Sequence, residues 1–262
     1  MSVATGKNIL FCRSEASSEH FADFFRKAGH RVSFFPTFRF EFVYPESIRF
    51  ASAFLPRLKD ADWLLFSSAR GVDAFFAHLK NLGIADPHFP EFCIGVVGKK
   101  SAERLKSGVS SVIINLQADN LNDLLASVGE SANGQQVSVF HITSEQSLLK
   151  IKVNTLDNVE LNRIPLYRTV KENRHSSQFI KQFASGTFDT IVFGSPTSFE
   201  YFFEFPGMPQ LLNHAIIATL GSTTAAFIKE LGYSVDIVAG KPEPAALQEA
   251  VNQYFTTEIF TS

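Results

Sequence analysis

The sequence predicts an α/β protein of two lobes that are divergent copies of one unit. Three observations carry this. Short apolar runs of strand character alternate with helix-period segments, as in parallel sheets covered by helices. Glycines stand where several of those helices should stop. Two stretches in the second half also repeat two in the first, in the same order and at nearly the same spacing.

The elements follow in order. Asn8-Ile-Leu-Phe-Cys12 is the first strand, Glu19 to Ala28 a helix closed by Gly29, and Arg31 to Phe35 a second strand. Trp63-Leu-Leu-Phe66 is a buried strand leading to a helix from about Gly71 to Leu82. Cys93 to Val97 is a strand, Lys99 to Lys106 a helix ended by Gly108, and Val112 to Ile114 a short strand. A helix from Asn120 to Val128 and a polar loop through Asn133-Gly134 precede the strand Val137 to His141. A helix around Leu148 to Leu156 then gives way to the extended run Leu161 to Tyr167.

The pattern then restarts. Thr190 to Phe193 is a strand, Ser198 to Phe205 a helix, Ala215 to Ala218 a strand and Ser222 to Leu231 a helix. Tyr233 to Val238 is the last strand. Pro242 to Tyr254 is the closing helix, and the tail from Thr256 is expected to be loose.

The repeat can be read residue by residue. Leu64 to Phe76 lies without gaps over Ile191 to Phe203, matching Phe66 with Phe193, Ser68 with Ser195 and Phe75-Phe76 with Phe202-Phe203. Gly98 to Leu105 lies over Gly221 to Ile228, with Gly108 and Gly232 behind them. The interval from Ser68 to Ser101 is 33 residues, and that from Ser195 to Thr224 is 29.

Each of these positions falls where a strand ends and a helix begins, the rim at which doubly wound sheets bind ligands. Ser68 and Ser195 read as helix caps, and Pro196 suits the first helical position. Ser101 and Thr224 fall in the first turns after Gly98 and Gly221. Free N–H groups and the helix dipole favour carboxylates or phosphates there. A single such serine is ordinarily a cap and nothing more, but the recurrence in both halves favours an anion-binding role for the set.

Composition bounds the function. Of 262 residues, 45% are hydrophobic and 19% charged, and the formal net charge is −2, so no basic field invites nucleic acid or an acidic membrane. No apolar run approaches the ~20 residues of a membrane span, and no secretory leader is read at the N-terminus. The cytoplasm is the expected location. The two cysteines, Cys12 and Cys93, form no disulfide framework. The 28 phenylalanines, with pairs at Phe24-Phe25, Phe75-Phe76 and Phe202-Phe203, read as core-filling helix faces.

The motifs Phe66-Ser-Ser-Ala-Arg-Gly-Val, Val97-Gly-Lys-Lys-Ser101-Ala102, Pro165-Leu-Tyr167-Arg168-Thr169, Phe193-Gly-Ser-Pro-Thr-Ser and Leu220-Gly-Ser-Thr-Thr224-Ala resemble, in this order, the uroporphyrinogen-III synthase family. The resemblance covers nearly the whole chain. It implies two Rossmann- or flavodoxin-like lobes with parallel sheets, joined by a two-stranded linker. The outer lobe would be residues 1–36 with 171–262, the inner lobe 40–165, and the linker strands about 37–43 and 163–170.

The activity implied is closure of the linear tetrapyrrole hydroxymethylbilane with inversion of its last ring and loss of water. On that resemblance the protein would be a cofactor-independent, cyclising lyase of haem biosynthesis, a monomer whose partner is a small molecule. The resemblance places Tyr167 as general acid, because it sits in the Tyr-Arg-Thr segment that matches the family's tyrosine position and a phenol can donate to a leaving hydroxyl; a packing role in the linker is the other reading. Ser68, Ser101, Ser195 and Thr224, with Gly98 and Gly221, would hold the substrate carboxylates through neighbouring amides. Arg13 would add charge, while Lys99 and Lys100 read rather as solvated surface. Where many relatives carry Arg-Gly, this chain has His141-Ile-Thr-Ser144, leaving it open whether His141 or Ser144 substitutes.

Rival functions have less behind them. A non-catalytic bilobal binding protein for an anionic metabolite would share the helix ends and not need Tyr167. A nucleotide-dependent enzyme lacks G-x-G-x-x-G and G-x-x-x-x-G-K-[ST] motifs. The seven histidines lack metal-ligand spacing, and no G-x-S-x-G elbow supports a serine nucleophile.

Overall fold

A strand with no polar side to show must be covered on both faces, and Trp63–Phe66 and Thr190–Phe193 are buried at every residue. Around them the computed structural model builds two parallel sheets, and it describes residues 6–14, 18–43, 61–83, 93–109, 111–150, 152–154 and 156–258. In chain order the elements begin with β1 (Asn8–Phe11), α1 (Glu19–Lys27), β2 (Arg31–Phe34), β3 (Phe38–Phe42), β4 (Trp63–Phe66) and α2 (Ala69–Asn81). There follow β5 (Cys93–Val97), α3 (Lys99–Gly108), β6 (Leu116–Ala118), α4 (Leu121–Ser131), β7 (Val137–Ser144), α5 (Glu145–Lys150) and β8 (Val159–Lys171). The rest are α6 (Ser177–Ala184), β9 (Thr190–Phe193), α7 (Pro196–Phe202), β10 (Ile216–Thr219), α8 (Ser222–Glu230), β11 (Ile237–Val238) and α9 (Pro244–Glu258).

The chain divides into two compact units, Phe40–Thr169 and Met1–Arg39 with Val170–Ser262, and passes between them within β3 and within β8. The first of these units holds a sheet of order β3-β8-β7-β4-β5-β6. Its strands from β8 to β6 are parallel. β3 runs antiparallel to β8 at the edge, as the bonds Val43 N–H to Leu166 O and Glu172 N–H to Thr37 O require. The other unit holds a fully parallel sheet of order β11-β10-β9-β1-β2.

The two sheets share one winding. From β4 the chain steps outward through β5 to β6, then crosses back to add β7 and β8 on the other side. From β9 it steps through β10 to β11, and β1 and β2 stand where β7 and β8 stand in the first. The order therefore reverses between β4 and β7, and again between β9 and β1. Such reversals leave a crevice at the carboxyl ends of the strands.

The cores repeat as well. Phe66 meets Phe75 edge-on at 5.4 Å, and the equivalent Phe193 meets Phe202 edge-on at 5.2 Å. Truncating any of these fully buried rings to alanine would cost roughly 3–5 kcal/mol. The pair Phe24-Phe25 splits, with Phe25 in the core and Phe24 exposed. Cys12 and Cys93 are free thiols, one in each unit.

Several elements differ from the sequence reading. The strand expected at Val112–Ile114 is displaced to β6, because the Asn115 side chain accepts from Ile94 N–H at 2.8 Å and holds the chain off the ladder until Leu116. The helix expected around Leu148 starts earlier and ends at Lys150, where Arg163 donates to the carbonyls of Ser147 and Leu148. Of Tyr233–Val238 only Ile237–Val238 pairs. The tail expected to be loose continues α9 to Glu258, since Leu247, Val251 and Phe255 form one buried stripe at helical spacing. The helix α6, absent from the sequence reading, is capped by Ser176.

Candidate functional site

In the unit Phe40–Thr169 the reversal between β4 and β7 opens into a cavity of about 400 Å³. Its walls come from six places. Ser67 and Ser68 follow β4, His141 and Thr143 stand two apart on β7, and Arg163 and Tyr167 lie on β8. Asp119 to Asn122 form the start of α4, Val97 ends β5 and Ser147 lies on α5.

Ser68 is the cap of α2, and its Oγ accepts from the Gly71 N–H at 2.9 Å. A side chain at Gly71 would stand 3.3 Å from that Oγ and 3.5 Å from Ile142 O, so glycine lets the helix start close against β7. The same Oγ lies 2.9 Å from the Tyr167 phenol oxygen. Tyr167 is 8% exposed and packs edge-on against Phe40. It is carried there by an irregular strand. β7 and β8 pair in register to Thr143 opposite Pro165, then slip by one residue, so that Ser144 stands opposite Tyr167. Pro165 brings no N–H to the ladder at that point.

The second polar pair lies on the same wall. His141 Nε2 is 2.8 Å from Ser67 Oγ. Burial, reinforced by the positive charge of Arg163 opposite it in the sheet, pushes the imidazole down to about 3. The ring is therefore neutral at physiological pH. Burial also lowers Arg163, without taking it from its charged form. Asn120 caps α4 by accepting from Asp123 N–H, which brings a second helix N-terminus to the cavity.

The remaining residues singled out in the sequence lie elsewhere. Ser101 is buried in the first turn of α3 behind Gly98, whose φ of 74° only glycine adopts freely, and neither lines this cavity. Lys99 is 86% exposed and faces Glu103, as a surface lysine does. Ser144 caps α5 by accepting from Ser147 N–H.

In the other unit, Ser195 caps α7 in a reciprocal box with Ser198. Arg13 follows β1 there, half-buried, with its guanidinium over the Phe21 ring and its Cδ 3.3 Å from where a side chain on Gly194 would begin. Thr224 is buried in the first turn of α8 behind Gly221. Ser67, Thr143, Arg163 and Asp119–Asn122 were not singled out. Ser67 beside Ser68, and Asn120 before an apolar helix, were the available signals. Among the described residues no group of three or more His, Cys, Asp or Glu side chains is placed to hold a metal ion.

Comparison with known proteins adds to this geometry. The family model described as uroporphyrinogen-III synthase HemD matches residues 4–249. A uroporphyrinogen-III synthase of Chlorobaculum parvum is 26% identical over 239 residues, 88% of this chain and 92% of that protein. A porphyrin biosynthesis protein HemD of Ruminiclostridium josui is 24% identical over 200 residues, 75% of this chain and 39% of that one. Among solved structures, a mutant uroporphyrinogen III synthase of Thermus thermophilus superposes with a TM-score of 0.59 at 16% identity, over 97% of this chain and 100% of that one. The uroporphyrinogen-III synthetase of Helicobacter pylori gives 0.56 at 16% identity, over 94% and 98%.

Proposed function

The chain belongs to the uroporphyrinogen-III synthase family, and on that premise we propose that it closes hydroxymethylbilane with inversion of the last ring, Tyr167 supplying the proton for the departing water. The protein is a cyclising lyase of haem tetrapyrrole biosynthesis. The observation that supports Tyr167 in this role is its hydrogen bond to the cap of α2 inside the cavity.

The chemistry asks little beyond placement and a proton. Breaking the hydroxymethyl C–O bond sends its electron pair to oxygen, which takes the Tyr167 proton and leaves as water. The pyrrole nitrogen lone pair stabilises the azafulvenium cation that remains. The substituted carbon of the terminal ring attacks it, giving a spiro intermediate that reopens and closes through the other carbon. The ring proton lost at the end restores the phenol.

Ser68 is suited to assist. Its oxygen is already an acceptor from Gly71 N–H, so its own hydrogen is available to donate to the phenol oxygen as charge grows there. The N-terminus of α2 favours the same charge.

Carboxylates of the substrate would be held at Ser101 and Gly98 in the unit Phe40–Thr169, and at Arg13, Ser195, Thr224 and Gly221 in the other. The two units would be the lobes of the family fold. The partner on this reading is a polyanionic small molecule, met by a cytoplasmic monomer. Among the described residues no helix is long and apolar enough to cross a membrane. A purely binding role is not favoured, because the relatives matched along most of this chain are named as synthases. The test is to generate hydroxymethylbilane, add the protein and separate the uroporphyrin isomers after oxidation. Predominance of type III supports the proposal. Type I alone, the product of unassisted closure, would end it.

A further inference from the structure

Resting on that reading, we propose that His141 is a positioning residue that fixes the Ser67 hydroxyl as a hydrogen-bond donor to a carboxylate of the tetrapyrrole in the cavity. Four observations lead there. His141 is 1% exposed, and its Nε2 lies 2.8 Å from Ser67 Oγ. Its Nδ1 has no hydrogen-bond partner among the described residues. Ser67 is half-buried, and no other described side chain or backbone group bonds its hydroxyl. Both residues line the cavity that also holds Ser68 and Tyr167.

The direction of the bond follows from the unpartnered nitrogen. A neutral imidazole carries one N–H and one lone pair. If Ser67 donated to Nε2, the N–H would sit on Nδ1, buried and unpaired. Orphaned buried N–H groups are rarer in proteins than under-satisfied acceptors. The favoured tautomer therefore has its hydrogen on Nε2, donating to Ser67, with Nδ1 as the bare acceptor. Burial, with the charge of Arg163 opposite His141 as the lesser cause, keeps the ring from taking a second proton.

The consequence falls on Ser67. With a lone pair occupied by His141, its hydroxyl hydrogen has no acceptor in the protein and is left for the cavity. The result parallels the neighbouring pair, in which Gly71 N–H feeds Ser68 and Ser68 meets Tyr167. Two adjacent serines thus have their oxygens engaged from behind and a hydrogen to give. Ser68 serves the phenol, and Ser67 serves an anionic group of the same bound molecule. A donor of this kind, set by a neutral partner, recognises a carboxylate without adding a charge.

The test joins nitrogen NMR of the full-length protein to steady-state kinetics on enzymatically generated hydroxymethylbilane. The His141 ring should show a protonated Nε2 and an unprotonated Nδ1. Ser67→Ala and His141→Phe should each raise KM about tenfold, as loss of a hydrogen bond to a charged group does, with kcat nearly unchanged. Because one acts through the other, the double variant should be no worse than either single one. His141→Gln, which keeps an N–H, should restore KM to near the parent value. A hydrogen on Nδ1, an unchanged KM in Ser67→Ala, or additive losses in the double variant would overturn the proposal. A parent protein that gives type I product alone would instead sink the synthase reading, and the carboxylate assignment with it.

Discussion

The Ser68 hydroxyl lies 2.9 Å from the Tyr167 phenol oxygen, although 99 residues of chain separate them. If this phenol gives the leaving group its proton, Tyr167→Phe removes the donor and nothing else of comparable volume. Turnover should fall by about 10²-fold or more, and type I product should gain on type III. Folding free energy should change by no more than about 1 kcal/mol, the scale of one hydrogen bond. Isomer analysis and urea unfolding of the same sample separate the two effects, and full activity in the variant would remove Tyr167 from the mechanism.

Ser195 offers the matched stability control for Ser68. Each caps a helix by accepting from the N–H three residues on, so alanine at either position should cost about 1 kcal/mol of stability. The activity should diverge. Ser68→Ala deprives the phenol of its partner and should slow turnover beyond any effect of Ser195→Ala. A kcat in Ser68→Ala equal to the parent's would show that the Ser68–Tyr167 bond carries no catalytic weight.

Much of the fold was legible because buried parallel strands are short apolar runs and their helices start at recognisable caps. The alternation, the repeat and the caps Ser68 and Ser195 all follow from local pattern. What was not legible depends on contacts between distant segments. Asn115 looks like any loop residue until its side chain is seen to take the Ile94 N–H and shift β6 along the chain. The repeat matches Ser68 with Ser195 and Ser101 with Thr224 and puts all four in one anion-binding set, whereas the cavity beside Ser68 is lined by the start of α4 and not by Ser101. Which helix end borders a crevice is set by strand order and rim geometry, and periodicity carries neither. Arg163 and His141 become neighbours only through the register of β7 on β8.

His141 gives the protein a pH dependence with a definite sign. Its folded-state value of about 3 lies below the ordinary imidazole value of 6.5, so between these the unfolded chain binds more protons. Stability from this group is complete above about pH 6.5 and is lost as pH falls toward 3, by up to about 1.4 kcal/mol per pH unit. His141→Gln should flatten the stability profile between pH 6 and pH 4. An unaltered slope, measured by urea unfolding across that range, would mean that the buried imidazole is not what the acid attacks.

Gly95 tests the packing beneath the cavity. A Cβ there would sit 2.5 Å from Leu65 Cδ2 and 3.1 Å from Leu124 Cδ1, between β4 and α4. Gly95→Ala should destabilise by about 1–3 kcal/mol through overpacking. Trimming its neighbour in Leu65→Val should recover part of that loss in the double variant. Simple additivity of the two losses would place the strain elsewhere.

Glu172 should act at lower pH than His141. It is buried, and Arg174 grips its carboxylate through Nε and Nη2 while Arg39 approaches at 3.5 Å. The hydrogen bonds from Arg174 come first among the causes that bring the carboxyl down to about 2, from the ordinary value of 4.5. A depressed carboxyl stabilises the fold above its unfolded value and loses that contribution as pH falls through the folded one. Its window is thus about pH 4.5 to 2. Arg174 is largely exposed, so water screens the pair and the contribution should be about 1–2 kcal/mol rather than the full shift. Glu172→Gln should be less stable than the parent at pH 6 by that amount, and the gap should close toward pH 2. A gap that stays constant through acid would assign the loss to packing at the junction of β8 and not to charge.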